Sequence, residues 1–150
     1  MSYELTESYK QVKRAQEKYD AACAEQDAEL KDSYFRNAFY ALYMAVRSGN
    51  MVYNSMFKGG TDAQGGTFTY AADELNSAAC TLYKDFYVEG RYPKDDVERI
   101  FGMWKQRVRG FLDRLSSECP LGKNTQEVEA WVEERDHGYM RHHEDSELVI

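Results

Sequence analysis

The feature that most limits what this chain can fold into is a run of four successive segments in which an apolar residue returns every three or four positions, with no strand-like alternation between them. In the first, Leu5, Tyr9, Val12, Tyr19 and Cys23 step at three-, four- and seven-residue intervals, with Lys10, Lys13, Arg14, Glu17 and Lys18 between them. That spacing places the apolar side chains on one face of a helix and the charges on the other. Ser2 or Thr6 is the expected cap, and Glu4 and Glu7 suit the positive end of the helix dipole.

Asp27 is placed to cap a second, longer helix, in which Leu30, Tyr34, Ala38, Ala41, Ala45, Val52 and Met56 form one stripe and Phe35, Phe39, Leu42 and Val46 widen it. A stripe this broad predicts a central helix that faces more than one neighbour, and its alanines allow close backbone approach. Gly49-Asn50 is the expected point of a break or bend. Lys58 to Gly66 holds two Gly-Gly pairs and almost no apolar content, so it reads as a loop. A phosphate-cradling reading of it lacks both a preceding strand and a Gly-Lys-Ser/Thr ending.

A third helix opens at Thr67 or Thr69 and holds its period through Phe68, Ala72, Leu75, Ala79, Leu82 and Phe86 until Gly90 ends it. Asp95-Asp96, behind Pro93, begin a fourth, with Val97, Ile100, Phe101, Trp104, Val108, Phe111, Leu112 and Leu115 as its stripe. The turn between them is short, which makes neighbouring helices antiparallel. The expected architecture is therefore all-α: an antiparallel four-helix bundle over residues 1–117. Residues 118–150 follow as a linker, a short polar C-terminal helix and a tail. Asn124 and Glu127 have capping-box spacing for that last helix, and Val128, Trp131 and Val132 are its anchor.

Composition sets the remaining bounds. A chain of 150 residues that is 43% hydrophobic and 14% aromatic has enough apolar matter for one core. No apolar run approaches the roughly 20 residues of a membrane span, so no membrane association is expected. The N-terminus lacks the pattern of a secretory signal, which predicts a cytoplasmic protein. The three cysteines, Cys23, Cys80 and Cys119, form no CxxC pair and read as reduced thiols, the first two as small core residues. A net charge of −7 disfavours unspecific adhesion to nucleic acid. A local basic side is nevertheless expected on the fourth helix from Arg99, Lys105, Arg107, Arg109 and Arg114, with Trp104 or Tyr92 as a stacking surface for a base. An ordinary charged face is the favoured reading of it.

All three histidines fall in the segment Glu133 to Asp145. His137 and His142 with Glu133 or Glu144 are metal-competent residue types, but their spacing of five does not suit one helix face, and no metal or other cofactor is expected. Arg135 and His142 also suit RNA cleavage, where imidazole moves the proton of a ribose hydroxyl and guanidinium steadies phosphate charge. A solvated polar tail is the favoured alternative. Tyr9, Tyr19, Tyr34, Tyr40 and Tyr43 are expected at the rim of the core.

The phrase Tyr34-Phe35-Arg36-Asn37-Ala38-Phe39-Tyr40-Ala41-Leu42-Tyr43-Met44-Ala45 resembles the second helix of HEPN (higher eukaryotes and prokaryotes nucleotide-binding) domains. The run Phe86 to Pro93, leading to Phe101, Trp104, Val108 and Phe111, is similar to the last hairpin of some members. The resemblance covers about residues 5 to 117. It implies a four-helix bundle that commonly dimerises and serves as a toxin ribonuclease or as the companion of a minimal nucleotidyltransferase. It also implies a catalytic arginine, polar residue and histidine, for which Arg135, Asp136 and His142 have the spacing at its loosest. Those three follow the four-helix core instead of lying within it. The expectation is therefore a HEPN-like, non-catalytic or degenerate binding module, homodimeric, that takes either a protein partner, such as a nucleotidyltransferase or a toxin–antitoxin counterpart, or a nucleotide-bearing substrate. The alternatives are a metal-independent endoribonuclease and a structural interaction protein of no known family.

Overall fold

A computed structural model describes residues 3–56 and 67–118. The described chain is all-α, and no strand occurs among the described residues. Helix α1 spans Tyr3–Ala24, α2 Ala28–Met56, α3 Thr67–Ala78 and α4 Val97–Glu118. A π-helical stretch, Leu82–Val88, and a 3-10 turn, Lys94–Asp96, lie between α3 and α4.

Local chemistry explains the boundaries. Asp27 caps α2 as its residue type predicts: its Oδ2 accepts from the Leu30 backbone N–H at 3.0 Å, and its carbonyl accepts from Lys31 at 2.8 Å. The turn before it is held by Glu25, whose Oε1 accepts from the backbone N–H groups of Gln26 and Asp27, each at 3.1 Å. Gly90 has φ +67°, a left-handed conformation natural to glycine, and closes the π-helical stretch.

The core is built from the apolar faces the sequence marks out. Leu5, Val12, Ala15 and Ala22 of α1 meet Phe35, Phe39, Leu42 and Val46 of α2, and Phe101, Trp104, Val108, Leu112 and Leu115 of α4 complete it. Ala38, Ala41 and Ala45 are all buried. The small residues therefore sit where α2 is most closely surrounded, and burial of its large neighbours contributes on the order of 1.5–3 kcal/mol each. Side-chain pairs give the register of the packing. Between α1 and α4, Tyr9 meets Asp113, Gln16 meets Lys105 and Tyr19 stacks on Phe101. Between α2 and the π-helical stretch, Phe39 meets Phe86 and Tyr43 meets Tyr83.

Four expectations are corrected. Gly49 does not break α2, which runs through it. A Cβ there would stand 2.8 Å from Leu112 Cδ2 and 2.9 Å from Phe111 Cε2, so glycine is what lets α4 approach. Cys23 and Cys80 are exposed, each next to a buried alanine: Ala22, one step of about 100° round α1, and Ala79, in the turn after α3. Leu30, expected in the stripe of α2, is 46% exposed. The third helix does not stay α to Gly90: it gives way to the π-helical stretch, in which Leu82 is buried and Phe86 packs against the core. The Gly-rich loop and the polar C-terminal helix lie outside the described residues.

Candidate functional site

On α2, Asp32 and Arg36 stand one turn apart, and this i,i+4 pair faces the π-helical stretch. The Arg36 guanidinium lies 3.4 Å from the Asp32 carboxylate. Its Nε donates to the Tyr87 carbonyl and its Nη2 to the Val88 carbonyl, each at 2.8 Å. Those are carbonyls at the end of a helical segment, where intrahelical donors run out, and a cation is the favoured partner there. Backbone bonds complete the ending: the Glu89 N–H reaches back to Lys84 O at 3.1 Å and the Arg91 N–H to Asp85 O at 2.7 Å.

The other Asp32 oxygen accepts from the Tyr92 hydroxyl at 2.7 Å, and Lys94 Nζ lies 3.9 Å from it. Burial pushes the Tyr92 phenol above the ordinary tyrosine range, and the hydrogen bond and charge of Asp32 push it further. Tyr92 is therefore a neutral donor that ties the turn after Gly90 back to α2. It also packs its ring against Phe35 and Phe39, with centroids 5.7 and 5.8 Å away.

Beside this strap an open groove of about 850 Å³ runs between α2 and the π-helical stretch. Asp32, Ser33, Arg36 and Asn37 form one wall, and Tyr83, Tyr87 and Val88 the other. A cluster of four tyrosines backs it: Tyr40 stacks on Tyr87 at 4.4 Å, and Tyr43 and Tyr83 are 5.1 Å apart. Val88, 50% exposed, is one of three large apolar side chains left in solvent among the described residues, with Leu30 and Met103. The groove thus offers flat aromatic surface, an exposed aliphatic edge and fixed charges of both signs. This mixture is the composition of protein-recognition surfaces, where tyrosine and arginine are enriched.

The basic side expected on α4 is present but engaged within the chain. Arg99 pairs with Asp96 at 2.6 Å and Arg107 with Glu74 at 3.4 Å. Lys105 donates to Gln16 Oε1 at 2.6 Å, and Arg109 lies over the Tyr9 ring. Trp104 and Tyr92, considered as stacking surfaces for a base, are buried at 6% and 5% exposure, so neither presents a face to a ligand. Tyr9, Tyr19, Tyr34 and Tyr43 do pack at the rim of the core. Burial and the bond to Asp113 raise the Tyr9 phenol above its ordinary range, and burial, followed by a bond to Cys23, pushes Tyr19 up to about 12.

Arg135, Asp136 and His142, and the metal-competent set Glu133, His137 and Glu144, lie outside the described residues. Among the described residues no group of three His, Cys, Asp or Glu is arranged to hold a metal ion, and no helix is long and apolar enough to cross a membrane. The groove itself was not singled out from the sequence. Its signals were there in the i,i+4 pairs Asp32/Arg36 and Tyr83/Tyr87, but nothing in a linear pattern says that the two pairs meet. Comparison with known protein families, curated proteins and solved structures returns no match to this chain.

Proposed function

We propose that this chain is a HEPN-like, non-catalytic binding module, built as an antiparallel four-helix bundle and acting as a homodimer that engages a protein partner. The bundle reading is supported by the pairing of Tyr9 with Asp113, Gln16 with Lys105 and Tyr19 with Phe101, in which one residue number rises as the other falls. The binding role rests on one observation: the open tyrosine-backed groove between α2 and the π-helical stretch, with its edge held in place by Arg36. The partner class is a protein segment that lays an apolar side chain against Val88 and Tyr87 and polar groups along Asp32 and Asn37. A nucleotidyltransferase encoded beside this chain, or a toxin–antitoxin counterpart, is the partner that the resemblance suggests.

The experiment is co-expression with the products of the adjacent reading frames, followed by purification of wild type and of Tyr87→Ala and Val88→Glu. A stoichiometric partner kept by wild type and lost by both variants, with helicity unchanged in circular dichroism, supports the reading. A partner retained equally by all three places recognition elsewhere and overturns it.

A further inference from the structure

The face of α4 turned away from the core carries a pattern that reverses onto itself. Arg99, Gln106 and Asp113 are spaced by seven residues and so lie in one row along the helix, with Gly102 and Gly110 flanking Gln106 four residues to either side. All five are exposed. A Cβ added at Gly102 or Gly110 would meet nothing within 4 Å, so nothing in the described chain explains glycine at two interior positions of a helix, where it is the poorest residue after proline. The contrast is Gly49, whose missing Cβ admits α4. An open groove of about 590 Å³ runs along the same face beside α1, with Gly102, Gln106, Gly110 and Asp113 in its lining. Met103, 43% exposed, stands on its other side.

We infer that this face is the self-association surface of the protein, with a second copy of α4 crossing antiparallel about a two-fold axis at Gln106. The proposal rests on the homodimeric reading above and supplies its geometry. A two-fold contact must be self-complementary, each residue meeting its counterpart counted from the axis in the opposite direction. Counted from Gln106, Arg99 meets Asp113 of the second copy, and Gly102 meets Gly110. Opposite charges fall together at both ends, and the bare glycine backbones fall together in the middle, where they let the two helices approach closely. The two helix dipoles run in opposite senses, which adds to the match. Arg99 keeps its bond to Asp96 in this arrangement, because a guanidinium has five donors, and Asp113 keeps Tyr9 on Oδ1 while Oδ2 accepts.

Sedimentation equilibrium from low to high micromolar concentration tests this on wild type, Gly102→Leu/Gly110→Leu, Arg99→Glu, Asp113→Lys and the double charge exchange. Leucine is a good helix former and its Cβ at either position meets nothing within 4 Å, so the double leucine variant stays folded while its side chains hold the helices apart. Each single charge reversal is expected to weaken self-association about tenfold or more, because it places like charges opposite at both symmetric ends. The double exchange is expected to restore it. Positions 99 and 113 are about 21 Å apart along one helix, so rescue can come only from a second copy. A wild-type dimer unaffected by the leucines, or charge reversals without rescue, overturns this face while leaving the homodimer intact. A wild type that is monomeric throughout overturns both the face and the homodimer.

Discussion

Alanine at the three helical glycines of known surroundings gives opposite signs, and the signs follow from the geometry alone. Gly102 and Gly110 lie in the interior of α4 with open space where a Cβ would stand. Alanine there gains helix propensity of about 0.8–1.0 kcal/mol per site and meets no steric resistance. The two sites are far enough apart to add, so the double variant should gain nearly 2 kcal/mol, or roughly 4–8 °C in Tm for a chain of this length. Gly49→Ala gains the same propensity, but its Cβ would press into Leu112 Cδ2 at 2.8 Å and Phe111 Cε2 at 2.9 Å. Both side chains are buried, and overpacking of this kind costs about 1–3 kcal/mol, so the expected result is a net loss of about 1 kcal/mol. Urea unfolding followed by helical circular dichroism, at a concentration low enough to keep the protein monomeric, reads all three midpoints with m unchanged. The reasoning fails if Gly49→Ala is as stable as Gly102→Ala, or if the α4 variants fall below wild type under those conditions.

The strap beside the groove gives further expectations. Arg36→Ala should destabilise by about 1–2 kcal/mol, toward the low end because the guanidinium is partly solvated, and amide exchange should rise first near the Tyr87 and Val88 carbonyls it covers. Tyr92→Phe keeps the ring packing and loses the bond to Asp32, so a loss of about 1 kcal/mol by chemical unfolding is expected, whereas Tyr92→Ala should cost about 3–5 kcal/mol. Tyr9, Tyr19 and Tyr92 have folded pKa values above the ordinary 10.0. Their contribution is intact below pH 10 and lost as pH rises beyond it, because the unfolded chain then releases protons that the folded one holds. Titration by tyrosinate absorbance should show Tyr9, Tyr19 and Tyr92 ionising late and together with unfolding, and an early ionisation of Tyr92 would contradict the neutral donor described above. The ribonuclease alternative predicts RNA cleavage by pure protein that Arg135→Ala and His142→Ala abolish, and intact RNA with wild type dismisses it.

The sequence carried the all-α class because its core positions recur locally: Val12, Leu42, Val108 and Leu112 are fully buried where helical period alone would put them. Asp27 and Gly90 were readable for the same reason, since capping and left-handed φ are chemistry of one or two residues. Cys23 and Leu30 misled because each lies at the margin of its stripe, where a rotation of one residue separates burial from exposure. The π-helical stretch was invisible because Leu82 and Phe86 satisfy an α period equally well. The groove depends on Arg36 reaching carbonyls more than fifty positions away, a partnership that no local pattern encodes.

That wide-turned stretch is, in effect, a local surplus of chain length turned into an angle. Shortening Leu82–Val88 by a single residue would leave a respectable helix behind, yet would swing everything beyond the cut round its axis. Tyr87 would slip off Tyr40, and the carbonyls that Arg36 grips would point elsewhere. An alteration that barely registers in helix content would therefore erase the groove, whose shape depends on the number of residues between Ala79 and Gly90.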